Sequence, residues 1–258
     1  STAEFLMPVT IIYALTIIDW RNIWIIISAS IILFLPLVSY FLVKEVKLSS
    51  REDDTEIPKE NIKQWKRSEV IKDYRFIIIA LNMLAMPWIA TGIFVYQSFI
   101  LSAKNWGEYT IAQSFMVYSI ASVLTLFVAG YLIDKFTSRK LLIYMNIPFL
   151  ISLLILIYFQ SPVSSFFFLG LIGVSNGFAN VLGSSTWAEL YGVKFIGSIK
   201  ALTTALMVFS TAFGTALFGL MIDLDFSIEQ ISMISGGYIL ISLILLFLIK
   251  NKLNPTIL

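Results

Sequence analysis

Long apolar runs alternate with short polar breaks along almost the whole chain. A helix that crosses a hydrocarbon core of about 30 Å needs roughly 20 largely apolar residues. Eight runs reach that scale, at 1–18, 23–43, 75–101, 111–133, 141–159, 164–187, 199–222 and 231–249. The pattern predicts an all-α fold, a polytopic transmembrane helix bundle of eight spans. Only one break is long, at 44–74, and it is charged with mixed sign. Such a segment cannot bury a core of its own and reads as a solvated linker, with a surface amphipathic helix around 62–70 as the alternative.

Composition agrees. The chain of 258 residues is 58% hydrophobic and 13% charged, where a soluble domain carries about 25% charged residues. Half of all its charged side chains, nine Lys/Arg and eight Asp/Glu, crowd into 44–75. The sequence has no His and no Cys. That excludes His-dependent nucleophile pairs, His or thiolate metal sites, iron–sulfur clusters and disulfides. A net charge of +2 gives no footprint for nucleic acid. No catalytic residue, metal or cofactor is expected.

Lys and Arg set the orientation. With the charged linker in the cytoplasm, 16 of the 18 cations fall on that side, and only Arg21 and Lys104 lie opposite. This places the protein in the cell (inner) membrane with a cytoplasmic C-terminus. The chain opens on Ser1, already inside an apolar run that holds Glu4 and Pro8. It lacks the basic n-region and cleavage site of a signal peptide. The expectation is a fragment whose earlier helices are missing.

The fourth run ends in Gly130-Tyr131-Leu132-Ile133-Asp134-Lys135-Phe136-Thr137-Ser138-Arg139-Lys140. This resembles the G-x-L-x-D-R-x-G-R-R/K signature of the major facilitator superfamily. Thr137 stands for its second Gly and Lys135 for its first Arg, so the turn is expected to be less tight. Glu4 to Pro8 with Asp19-Trp20-Arg21, the stretch Ala212 to Gly219 ending at Asp223, and Trp187 to Gly192 followed by Gly197 to Lys200 are similar to the family's fifth, eleventh and tenth-to-eleventh regions. The resemblance implies that 1–43 holds the last two helices of the first half, 44–74 the central cytoplasmic linker and 75–258 the six-helix second half. It implies gating roles for Gly130, Asp134, Lys135, Arg139 and Lys140. Asp134 would hold the inner ends of the two halves together, and the seventh run, with its Ala and Gly stripe, would rock against the other half.

Helices that line a watery path must carry polar and small residues. In the sixth run Gly173, Asn176, Gly177, Asn180, Ser184 and Trp187 follow three- and four-residue steps and share one face. Asn176, Asn180 and Ser184 are therefore candidate pathway residues, with interhelical packing as the competing reading. Tyr96 and Gln97, in the third run, are candidates on the same reasoning. The second and fifth runs, almost wholly Ile, Leu and Phe, read as outer helices. Glu4 is the candidate for ion coupling, and Glu189 reads as an interfacial charge near Lys194. The resulting expectation is a secondary active transporter of a small organic solute by alternating access, with proton coupling as an option. It would act as a monomer in the lipid bilayer, completed by the missing N-terminal helices of the same protein. The alternative is a multi-span membrane enzyme acting on lipid-like substrates.

Overall fold

The computed structural model describes residues 10, 11, 13–43 and 63–254, all discussion of contacts being of these. Eight helices carry the architecture: α1 (Trp20–Val43), α2 (Tyr74–Val95), α3 (Gln97–Lys104), α4 (Glu108–Phe136), α5 (Ser138–Tyr158), α6 (Ser164–Tyr191), α7 (Ile196–Asp223) and α8 (Ile228–Ile249). No strand occurs among the described residues. Six helices are long and apolar enough to cross a membrane, namely α2, α4, α5, α6, α7 and α8 with its 3-10 extension to Lys252. The run at 23–43 lies on α1, whose side chains are largely exposed over the described residues 20–34, Ile32 at 74% for example. The run at 1–18, Glu4 included, falls mostly outside the described residues.

Two of the expected runs are interrupted. The run at 75–101 is not one helix, because it breaks at Tyr96 (φ −100°, ψ 27°) and restarts as α3. Pro87 supplies no amide to its own turn, and α2 widens to a π turn over Met86–Ala90. Inside α5 the helix is offset at Asn146 (φ −100°, ψ 1°), just before Pro148. Helix starts follow local chemistry. Asp73 caps α2 by accepting from the Arg75 amide at 2.9 Å, and Ser227 with Gln230 forms a reciprocal capping box for α8.

The helices pack where side chains are smallest. A Cβ on Gly173 would stand 2.3 Å from the Tyr118 carbonyl oxygen, and one on Gly177 would stand 2.6 Å from that of Ser122. Those two glycines let α6 lie directly on α4. Gly214 does the same for α7 on α2, with a Cβ only 2.1 Å from the Trp88 carbonyl oxygen. Of the Ala and Gly stripe on α7, only Gly214 is buried here, while Ala201, Ala205, Ala212 and Ala216 are exposed. The core divides into two apolar clusters along the bundle. One surrounds Trp88, Trp106, Phe149, Phe168 and Phe218, and the other Phe76, Leu142, Met145, Trp187 and Tyr191.

Candidate functional site

A cavity of about 240 Å³ opens between α2, α6 and α7, with Tyr118 of α4 and Met145 of α5 at its back. Asn176 and Asn180 both line it, together with Thr91, Phe94, Trp187 and Thr203. Met83, Met86, Met145 and Met207 supply much of the remaining wall, and no ionisable group other than the Tyr118 phenol does. Asn176 is held sideways, its Nδ2 donating to Ser122 Oγ at 3.0 Å. Asn180 is exposed and donates to the Asn176 carbonyl at 3.0 Å, within its own helix. The polar stripe on α6 thus serves two surfaces. Gly173, Gly177 and the Asn176 amide meet α4, whereas Asn180 turns to the cavity.

The other candidates stand elsewhere. Ser184 is exposed and bonds back to the Val181 carbonyl at 3.0 Å, outside the cavity lining. Tyr96 reaches α7, where its hydroxyl occupies the space beside Gly219. Gln97 borders a small apolar pocket with Ile93, Phe94 and Phe115. Neither residue joins Asn176 and Asn180. Helix α2 contributes through Met83, Thr91 and Phe94 instead. In the sequence the cavity methionines are indistinguishable from ordinary core.

One end of the bundle gathers most of the charge. There the backbone passes from α4 to α5 through Thr137 at φ 73°, ψ 147°, a region that suits glycine. The threonine thus adopts the positive-φ backbone that a glycine at this position would supply without strain. Its hydroxyl is buried without a partner. Glu189 on α6 holds this turn. It accepts from the Ser138 amide at 2.9 Å and from the Ser138 hydroxyl. It also pairs with Arg139 at 2.9 Å, so its partner is the basic turn and not Lys194. Arg139 further donates to the Leu253 carbonyl and to Asn254 Oδ1 at 3.0 Å. Among the described residues Asp134 is exposed and makes no hydrogen bond or ion pair, and Gly130 has open space around its α-carbon. Lys135 and Lys140 are exposed as well.

The end of the linker is docked to the same plate. Trp65 donates its amide to the Tyr191 carbonyl at 3.1 Å and sets its ring edge-on to that tyrosine. Gln64 accepts from the Lys194 amide at 2.9 Å. The Tyr191 hydroxyl donates to Asp73, which pairs with Arg75 at 2.8 Å, and Arg75 reaches on to the Asn254 carbonyl. Glu69, in the short turn Arg67–Val70, accepts from the Lys66 amide and pairs with Lys63. That amide, with the nearby ammonium, holds its carboxyl below the usual range. The sequence predicts a solvated linker or a surface amphipathic helix for this stretch, and Val70 within it is fully buried.

Two buried asparagines join three helices. Asn146 donates to the Asn82 carbonyl at 2.6 Å, and Asn82 donates to Ser242 at 3.3 Å, tying α2, α5 and α8 together. At the opposite end of the bundle Lys104 meets Glu229. Trp106 donates to the Gln160 carbonyl at 2.9 Å there.

The Major Facilitator Superfamily model matches the chain over residues 1–215 and again over 83–257. No curated protein and no solved structure matches it.

Proposed function

Because the chain belongs to the Major Facilitator Superfamily and is a membrane transporter, we propose that it moves a small organic solute by secondary active, alternating-access transport. The observation that carries this reading is the cavity shared by α2, α6 and α7, with Asn176 and Asn180 on its wall. It is lined by apolar, aromatic and amide side chains and by four methionines. Unbranched thioethers adapt to varied shapes, and amides orient a solute without demanding charge. The solute this lining suits is uncharged or amphiphilic. A strongly anionic one would need cations that the described cavity does not offer.

In this reading α6 lines the path and α7 moves against the other half of the transporter, to which it would present its exposed alanines. The plate of Arg75, Arg139 and Glu189 faces the cytoplasm of a cell-membrane protein, as the placement of Lys and Arg favours. Asp134 and Lys135 would engage groups beyond the described residues at the inner gate. Any coupling proton is assigned to Glu4.

The test is Asn180→Leu in the full-length transporter, purified and reconstituted in liposomes, against a panel of uncharged amphiphilic solutes. Among the described residues Asn180 bonds only within its own helix. The substitution should change apparent affinity or selectivity severalfold and leave stability within about 1 kcal/mol. Unchanged transport with a lowered melting temperature would assign Asn180 to packing and overturn the proposal.

A further inference from the structure

A second concavity, of about 880 Å³, lies at the basic end of the bundle, between the last turns of α4, the first turns of α5 and the residues that follow α8. It shares no lining residue with the cavity described above. Its rim carries Arg139, Lys140 and Lys250, and its floor is apolar, with Leu132, Phe136 and Phe178 among the lining side chains. No acidic side chain lines it. Arg139 is partly spent on Glu189 and on the chain at 253–254. Lys140 and Lys250 are not: both are exposed, and neither has an acidic partner among the described residues. The Lys250 ammonium stands 3.7 Å over the Phe247 ring, held at the edge of the groove.

The groove sits where the apolar helices end, and a membrane crossed by those helices would set its apolar side chains against hydrocarbon and its cations among headgroups. Phe136 and Tyr144 are exposed beside it, as aromatic side chains are at a membrane boundary. Cations above an apolar floor at that depth match an amphiphile with an anionic head and a hydrocarbon tail. Basic pockets between membrane helices bind such headgroups. We propose that this groove is a binding site for an anionic phospholipid. Lys140 and Lys250 would take the phosphate as two point charges, and an acyl chain would lie along Leu132 and Phe178. The bound lipid would bridge the basic turn after α4 to the end of α8. The site is independent of whatever solute the central cavity carries.

The experiment uses the full-length protein in detergent, offered phosphatidylglycerol or phosphatidylcholine, and reads retained lipid by native mass spectrometry together with melting temperature. Phosphatidylglycerol should be retained and should raise the melting temperature, and phosphatidylcholine should do neither. Lys140→Gln and Lys250→Gln should each weaken retention about fivefold, the scale for one cation at an anionic surface. Lys200→Gln, which removes an exposed charge on the same end but outside the groove, should leave it unchanged. The Lys250→Gln variant carries the same reading should Lys140→Gln fail to purify. Equal retention of the two lipids, or an equal loss in Lys200→Gln, would overturn the site. So would inorganic phosphate alone matching the stabilisation, which would make it a free-phosphate site. Retention that emerges only after Glu52, Asp53, Asp54 and Glu56 are neutralised would assign the groove to that acidic segment of the chain and likewise overturn the proposal.

Discussion

Lys104 is fully buried, and its ammonium meets the Glu229 carboxylate at 2.7 Å, joining the last residue of α3 to the first turn of α8. The two partners are not equally hidden, since the Glu229 side chain keeps 32% of its exposure. Removing one or the other should therefore have unequal effects. Glu229→Gln strands a buried ammonium and should cost about 2–4 kcal/mol. Lys104→Met leaves a carboxylate that water and the α8 N-terminus still favour, and should cost about 1 kcal/mol or less. Denaturation of the two variants in one detergent checks the asymmetry, and equal losses would contradict it.

Thr137 should be improvable. It sits at φ 73° with a buried hydroxyl that no group satisfies. A strained backbone of this kind costs about 1–3 kcal/mol, and Thr137→Gly should recover about 1–2 kcal/mol after the extra flexibility of the unfolded glycine is counted. A melting temperature that falls in the variant would show that the threonine side chain contributes more than its strain removes.

Asp134 tests the gate. With no partner among the described residues, its carboxylate has little local structure to lose. Asp134→Asn should leave the melting temperature of the full-length transporter within about 0.5 kcal/mol of wild type in stability, and should reduce transport severalfold. Lowered stability with normal transport per folded molecule would make Asp134 a structural residue and remove it from the gate.

Orientation can be read chemically because the chain has no cysteine. Asn105 is a poor labelling site, since its φ of 51° favours asparagine or glycine. Glu108, exposed in the first turn of α4, and Lys200, exposed near the start of α7, serve better. A cysteine at 108 should react with an impermeant thiol reagent in intact cells, and one at 200 only after lysis. The reverse pattern would invert the topology.

What the sequence disclosed follows from physical range. Membrane helices announce themselves because about 20 consecutive residues must all be apolar, and α4, α6, α7 and α8 fall close to their expected bounds. The α6 stripe was legible because three- and four-residue steps fix a face. That is why Asn176 and Asn180 come to one cavity. The steps do not say which neighbour the face meets, and so Ser184 was grouped with them. Contacts between distant residues left no local mark. Glu189 and Ser138 are 51 positions apart, and Lys104 and Glu229 are 125. The docking of Trp65 was hidden for another reason: the surrounding charge made its aromatic surface look like part of a solvated segment.

Gln64 and Trp65 fasten the linker to the short connection between α6 and α7, the two helices that carry Asn180 and Thr203 into the cavity. A Cβ on Gly192 would lie 2.3 Å from Gln64 Oε1, so the Gln64 amide occupies the space that this glycine leaves open. The described end of the linker is thus pinned beside the connection between the two helices that supply Asn180 and Thr203 to the cavity wall.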